Sequence, residues 1–443
     1  MPPSVTAADV HRLVPTRAAN GHALGRAFWS SFRATHWERM GAVIEQPFAT
    51  PLATPAELFD AMLEASDRFR AGDQAVSLEF CVGHTRMLAN VGRYLPERSD
   101  GGSAGYMARV TQQLGGARFG LVVEDAQAYD ATLWLRLRDF LRGLYRHTGL
   151  PGDAAKATVF LGNYDRTPFG LHRGSSANFM FVVEGAKRMR TWPDAYFRGK
   201  PDLTHRLDYE AYNDDAIVMD ANPGDIIFWP SDYWHIGESV DGGFSSAVSV
   251  ALFMEPRPTA AVIARAAGLI GARHAAADRV RALDAMPDAM AAAVQRAEAM
   301  ARDAVASLAD VSADPALRHA LRVGALNTLT GFGFTRPPRP RDGVSLTDDV
   351  IVTGTAAYPV LWLDAGDDDL VVSANGHALQ VAASPHVVGL LERLNSGERL
   401  RVGALVEAHS GTVRAGGVAF ETTRDDVRAL VEKLVSLRAL TLP

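Results

Sequence analysis

The sequence predicts an α+β protein in which a closed body of short β-strands sits among flanking helices and a small second α/β unit follows. Three observations predict it. Short runs of β-branched and aromatic residues crowd the stretch from Thr158 to Pro256, amphipathic helical patterns precede them, and alanine-rich helical sequence separates them from the C-terminal part. The 443 residues, 47% hydrophobic and 22% charged, suffice for more than one packed core and exclude disorder, collagen and a disulfide scaffold.

The elements follow in chain order. From Pro55 to Phe69, Leu58, Phe59, Met62 and Leu63 share one face of a 3.6-residue repeat, and from Leu133 to Tyr145 a leucine-rich stripe with Phe140 does the same, so both read as helices outside a sheet. Strands are expected at Ala157–Leu161, Asn178–Glu184, Lys187–Trp192, Ala216–Met219, Asp225–Trp229 and Ser245–Phe253. Turns fall at Glu184-Gly185-Ala186, Asn222-Pro223-Gly224 and Asp241-Gly242-Gly243. So many short strands in so little chain imply a barrel or sandwich.

The chain is expected to divide into a barrel domain with N-terminal helices over 1–258, a helical unit over 259–335, a linker over 336–346 and a last unit over 347–443. Pro287 and Pro315 should open helices at their first turns. The stretch Arg336 to Gly343 reads as linker because its prolines cannot continue a helix, with its arginines left in solvent. In the last unit, strands at Val360–Leu363, Leu370–Ser373 and Ala378–Val381 flank an Asn375-Gly376 hairpin turn. Helices follow at Pro385–Leu394 and Arg424–Arg438, the second opened by a Thr423/Asp426 capping box.

A formal charge of −6 argues against nucleic acid as the partner. Cys81 is the single cysteine, which excludes an intramolecular disulfide and a cysteine-based zinc site and fits a reducing cytoplasm. The first twenty residues hold no apolar core of signal-peptide length, and no run of about 18 apolar residues occurs, so neither export nor a membrane span is expected.

The chemistry concentrates in two stretches. Phe169 to Arg188 carries His172, Gly174, Asn178, Gly185 and Lys187; Pro223 to His235 runs Pro-Gly-Asp, an apolar strand, Pro, aromatics and His. Two histidines 63 residues apart, each beside a strand, can meet on neighbouring strands of a closed barrel, and their imidazoles would suit Fe(II). Either histidine alone reads equally well as a hydrogen-bonded barrel residue. It is the pair, in register with Lys187, that points to metal.

These stretches resemble the JmjC-type cupin oxygenases, Fe(II)- and 2-oxoglutarate-dependent enzymes on a double-stranded β-helix, and within them the ribosomal-oxygenase-like and asparaginyl-hydroxylase-like branches. In that pattern a glycine turn follows the first metal histidine by thirteen residues and a lysine for the 2-oxoglutarate C5 carboxylate by fifteen, as Gly185 and Lys187 follow His172. The resemblance implies His172 and His235 as metal ligands and Lys187 as the cosubstrate's cation. It places Asn178 as an amide near metal and cosubstrate, where a turn residue before a strand is the plain alternative. Tyr164 and Ser249 would line the pocket or fill the barrel interior, and Asp225 would shape a turn. Phe28-Trp29 and His36-Trp37 look like the family's N-terminal entry; the helical unit and the Asn375-Gly376 segment look like its dimerisation and winged-helix regions, implying a homodimer.

One departure matters. Most members of the family present His-x-Asp, whereas this chain reads His172-Arg173-Gly174, and glycine offers no ligand atom. Three readings follow. Water or a carboxylate from elsewhere, such as Asp165 or Glu184, completes a hydroxylase; chloride binds iron in the space beside Gly174, as in radical halogenases of other folds; or the site is a non-catalytic cupin that binds a ligand or protein. Hydroxylation leads, being what the resembling enzymes do. A winged-helix-like unit further implies a peptide or protein substrate, held by strand addition, unless it is a structural cap.

Overall fold

The computed structural model describes residues 10–15, 24–200, 207–255, 295, 315–366, 368–415 and 418–442. The chain separates into two units, 1–255 with 331–340 and 256–330 with 341–443. Most of the expected helical unit over 259–335, with the helix start at Pro287, lies outside the described residues.

The first unit is built from strands β1 (His11–Leu13), β2 (Ala42–Ile44), β3 (Leu78–Val82), β4 (Thr85–Arg86), β5 (Phe119–Val123), β6 (Ala154–Gly162), β7 (His172–Arg173), β8 (Ala177–Glu184), β9 (Lys187–Pro193), β10 (Ile217–Ala221), β11 (Ile226–Trp229), β12 (Tyr233–Ser239) and β13 (Ser245–Phe253). Among the described residues they form a sheet in the order β1-β2-β11-β8-β13-β6-β5-β3-β4 and a smaller one in the order β10-β9-β12-β7. The two sheets face each other across one apolar layer: Met180, Ile227 and Ala247 of the large sheet pack with Met189, Met219 and Tyr233 of the small one.

Strand alternation explains how a single sheet serves two cores. On β8, Phe179 and Phe181 turn outward against the helices Arg26–Thr35 and Ala131–Thr148, whereas Met180 and Val182 turn inward. Phe140 meets Phe179 at 5.1 Å and Phe181 at 5.0 Å, both edge to face, which fixes the helical layer on the sheet. The helix Pro55–Arg70 starts on a reciprocal capping box between Thr54 and Glu57 with proline at its first turn.

The Pro223-Gly-Asp turn is tied from inside. Asp225, buried, accepts from the Asn222 amide at 2.9 Å, the Gln46 amide at 3.1 Å and Gln46 Nε2 at 2.9 Å. At Gly185 the backbone is left-handed, φ 65°, and a side chain would collide with the Phe244 carbonyl, so the turn that delivers Lys187 requires glycine. Of the arginines expected to stay in solvent, Arg336 instead donates to the Ala75 carbonyl and pairs with Asp125 at 3.3 Å, whereas Arg339 pairs with Asp73 at 2.7 Å while its side chain stays 65% exposed.

The second unit contains β14 (Ile351–Thr353) paired with β18 (Arg399–Arg401), a three-stranded sheet of β15 (Leu361–Gly366), β16 (Asp369–Ala374) and β17 (His377–Ala382), and a hairpin of β19 (Gly411–Ala415) and β20 (Val418–Thr422). Asn375 and Gly376 both have positive φ, 50° and 82°, and connect β16 to β17 as the sequence signal requires. The helices Pro385–Leu394, Val402–His409 and Arg424–Ser436 bury Leu390, Leu405, Val431 and Leu434 in its core, and Pro315 opens a helix to Thr330. No described helix is long and apolar enough to cross a membrane.

Asp225→Ala strands three donors in a buried turn. We expect a loss of about 3 kcal/mol in chemical denaturation; an unchanged midpoint would show that the turn does not depend on this carboxylate.

Candidate metal and anion site

The small sheet brings the two histidines together. β12 pairs antiparallel with β7, with His235 directly across from His172 and Trp234 across from Arg173. The imidazole centroids stand 4.3 Å apart with planes inclined at 58°. β7 is two residues long and is held at its end by the Arg173–Asp194 ion pair at 2.5 Å.

Each ring is oriented by its own backbone. His172 Nδ1 lies 2.9 Å from the Gly170 carbonyl and His235 Nδ1 lies 3.1 Å from the Tyr233 carbonyl. A carbonyl only accepts, so each Nδ1 carries the proton and the lone pair is on Nε2. Burial, reinforced by the neighbouring His172, pushes the pKa of His235 down to about 3, which leaves its ring neutral at physiological pH. Two imidazoles whose Nδ1 atoms are turned to backbone carbonyls leave Nε2 as the metal-facing donor, a set suited to a divalent first-row metal.

Lys187 is the second unusual group. It opens β9 at 2% exposure, its Nζ donates to the Tyr164 hydroxyl at 2.5 Å, and no carboxylate pairs with it among the described residues. Burial lowers its pKa from 10.5 to about 7 and raises that of Tyr164. A buried cation without a counter-ion is costly, and an anionic ligand would relieve that cost.

The remaining expected residues fall as follows. Asn178 is buried on β8 beside Trp229 of β11, but its Nδ2 is turned to Ser176, donating to the carbonyl at 2.7 Å and to Oγ at 3.3 Å. It therefore braces the loop after β7. Ser249, buried on β13 between Met180 and Thr158 in register, shares the inner face with Ala247, and no hydrogen bond joins it to Lys187 or to either histidine among the described residues. At Gly174 a Cβ would meet only ordinary contacts, Ser176 Oγ at 3.7 Å and His235 Cε1 at 3.9 Å, so neither packing nor backbone demands glycine.

The carboxylates considered as a third ligand are engaged elsewhere. Asp165 is ion-paired with Arg118, and Glu184 accepts from Ser103 at 2.7 Å. Among the described residues no cluster of three His, Cys, Asp or Glu could hold a metal. Sequence reasoning missed Trp229, whose ring lies 5.1 Å from His235 and whose buried Nε1 has no hydrogen-bond partner among the described residues. Its signal was the alternation of β11, which turns Ile227 and Trp229 inward.

No family model matches the chain, and no curated protein matches it. Among solved structures it is similar to YcfD, a ribosomal oxygenase from Escherichia coli, at 16% identity and a TM-score of 0.42 over 94% of this chain and 97% of that one. It is likewise similar to YcfD in complex with cobalt and 2-oxoglutarate, at 16% identity and a TM-score of 0.46, and to YcfD in complex with cobalt and succinic acid, at 14% and 0.44. Each of these two likenesses covers 94% of this chain and 98% of that one.

Replacing Lys187 by Met should stabilise the protein on the order of 2 kcal/mol. The unfolded chain holds the lysine proton up to about 10.5 and the folded chain releases it at about 7, so the wild-type penalty is complete below pH 7 and fades as the pH rises toward 10.5. Urea titrations at pH 7 and pH 10 check this; a gain for Lys187→Met that is larger at pH 10 would contradict the assignment.

Proposed function

We propose that the protein is an Fe(II)- and 2-oxoglutarate-dependent oxygenase on a double-stranded β-helix that hydroxylates an unactivated C–H bond of a peptide or protein. The observation that carries the reading is Lys187, a buried cation with no acidic partner among the described residues, on the same sheet as the two facing imidazoles. Ser239 of β12 pairs with Lys187 and His235 pairs with Thr191. Four strand residues, roughly 13 Å of rise, therefore separate the lysine backbone from the histidines. A long lysine stem and a five-carbon diacid can share that span.

His172 and His235 would hold the metal through Nε2, and Lys187 with the Tyr164 hydroxyl would bind the far carboxylate of the cosubstrate. Bound iron and 2-oxoglutarate supply oxygen activation; the chain's own part is placement. The Gly170 and Tyr233 carbonyls fix the rings, the Gly185 turn sets the lysine, and the apolar layer of Met180, Met189 and Tyr233 keeps water from the interior. The peptide substrate is proposed from the edges of the three-stranded sheet in the second unit, which no further strand pairs among the described residues and to which a strand can be added, and a homodimer is part of the proposal.

A second reading is favoured by one observation. A side chain at position 174 would fit without strain, yet the residue is glycine, which leaves room for chloride beside His235 and makes radical halogenation the alternative outcome.

Anaerobic addition of Fe(II) and 2-oxoglutarate should produce a visible charge-transfer band, and air should then release succinate. His172→Ala and His235→Ala should each abolish both signals, and chelator should remove them from the wild type. If the wild type shows neither band nor succinate, the protein is a binding protein instead. Mass spectrometry of product formed with and without chloride separates the two chemistries. Gly174→Asp should preserve hydroxylation and suppress chlorination; chlorination that survives the substitution would exclude chloride from that space.

A further inference from the structure

The loop that joins β7 to β8 holds an arrangement that the two histidines and the lysine do not use. A Cβ at Gly174 would stand 3.7 Å from Ser176 Oγ, 3.9 Å from the Ser176 amide nitrogen and 3.9 Å from His235 Cε1. The space beside the glycine is thus bounded by two polar atoms of one residue and by the edge of a metal-facing imidazole. Ser176 is buried, and the Asn178 amide clamps it by donating to its carbonyl at 2.7 Å and its Oγ at 3.3 Å. A hydroxyl oxygen that accepts from Asn178 keeps its own proton for another partner. Asn178 thus holds the Ser176 hydroxyl at the border of the space beside the glycine.

Charge selects what would take it. Two imidazole ligands bring no negative charge to a divalent ion, and no acidic third ligand stands near them among the described residues. A small monovalent anion supplies the charge that a carboxylate would otherwise bring, and a hydroxyl beside a backbone amide is a donor pair suited to it. Resting on the metal reading proposed above, we infer that Ser176 is a positioning residue that donates a hydrogen bond to a small monovalent anion seated beside His235, in the space that Gly174 leaves open. Asn178 acts through Ser176 and does not touch the anion.

Binding to cobalt tests this without turnover. The full-length protein is loaded with Co(II) and 2-oxoglutarate, azide and chloride are titrated separately, and the visible cobalt absorption is followed. A saturable change with either anion is expected. Ser176→Ala should weaken azide about tenfold, the loss of one hydrogen bond to a charged group. Its affinity for Co(II) should not change. Ser176→Thr, which keeps the hydroxyl, should restore azide binding, and Gly174→Asp, whose carboxylate takes the same space and supplies the missing charge, should remove the anion response while cobalt still binds. A cobalt spectrum indifferent to both anions, or azide affinity equal in wild type and Ser176→Ala, overturns the inference and leaves the metal reading standing. Failure of the wild type to bind Co(II) overturns both.

Discussion

Two rungs of antiparallel ladder, Arg173 with Trp234 and His172 with His235, are the constraint on which the candidate site depends. Directly opposed residues on neighbouring strands project to the same face within reach of each other. That is why residues 63 apart in sequence place their rings 4.3 Å apart. The ladder is short on the β7 side and secured from outside: β12 runs on along β9 for seven paired residues, and Arg173 is tied to Asp194. A slip of one residue would turn His235 to the outer face, where Trp234 and Ile236 pack.

The interior between the sheets is unevenly polar. Met180, Met189, Met219 and Ile227 make an ordinary apolar layer, but the same faces carry Lys187, His235, Asn178 and Ser249 in burial. The outer face of the large sheet compensates, since Trp29, Phe32, Phe140, Phe179 and Phe228 form a continuous set of edge-to-face and tilted contacts that gives the fold its stability away from the site. Burying an unmatched ammonium costs stability, and groups of this kind are retained where a ligand makes use of them.

Asn178 shows how placement alters a role. An amide on an inward position of β8 has the composition of a ligand-binding group, but its donors are spent on Ser176 two residues away. The residue that remains with a proton to offer is the serine. No spacing rule separates Ser175 from Ser176, and only the turn of the loop decides which hydroxyl is buried beside His235.

Much of the architecture was legible because local chemistry agreed with the final structure. Asn375-Gly376 needed only its own left-handed preference, the Thr423/Asp426 box its own hydrogen bonds, and β13 ran from Ser245 to Phe253 as its alternation implied. That the two histidines can meet was legible from their flanking strand patterns, and the Gly185–Lys187 register from the resemblance to the family's motif. Other features were not. Phe119–Val123, fully buried, and Leu78–Val82, half-buried, are short runs whose strand pairing depends on partners far along the chain. Arg336 looks like a solvated linker charge until Asp125 and the Ala75 carbonyl are brought beside it. Residue types, turn chemistry and the register of the motif are local properties, so the sequence by itself determined them. The lack of a third carboxylate beside the histidines among the described residues, the engagement of Asp165 and Glu184, and the burial of Ser176 near Gly174 are relations between segments, and only the folded chain decides which segments meet.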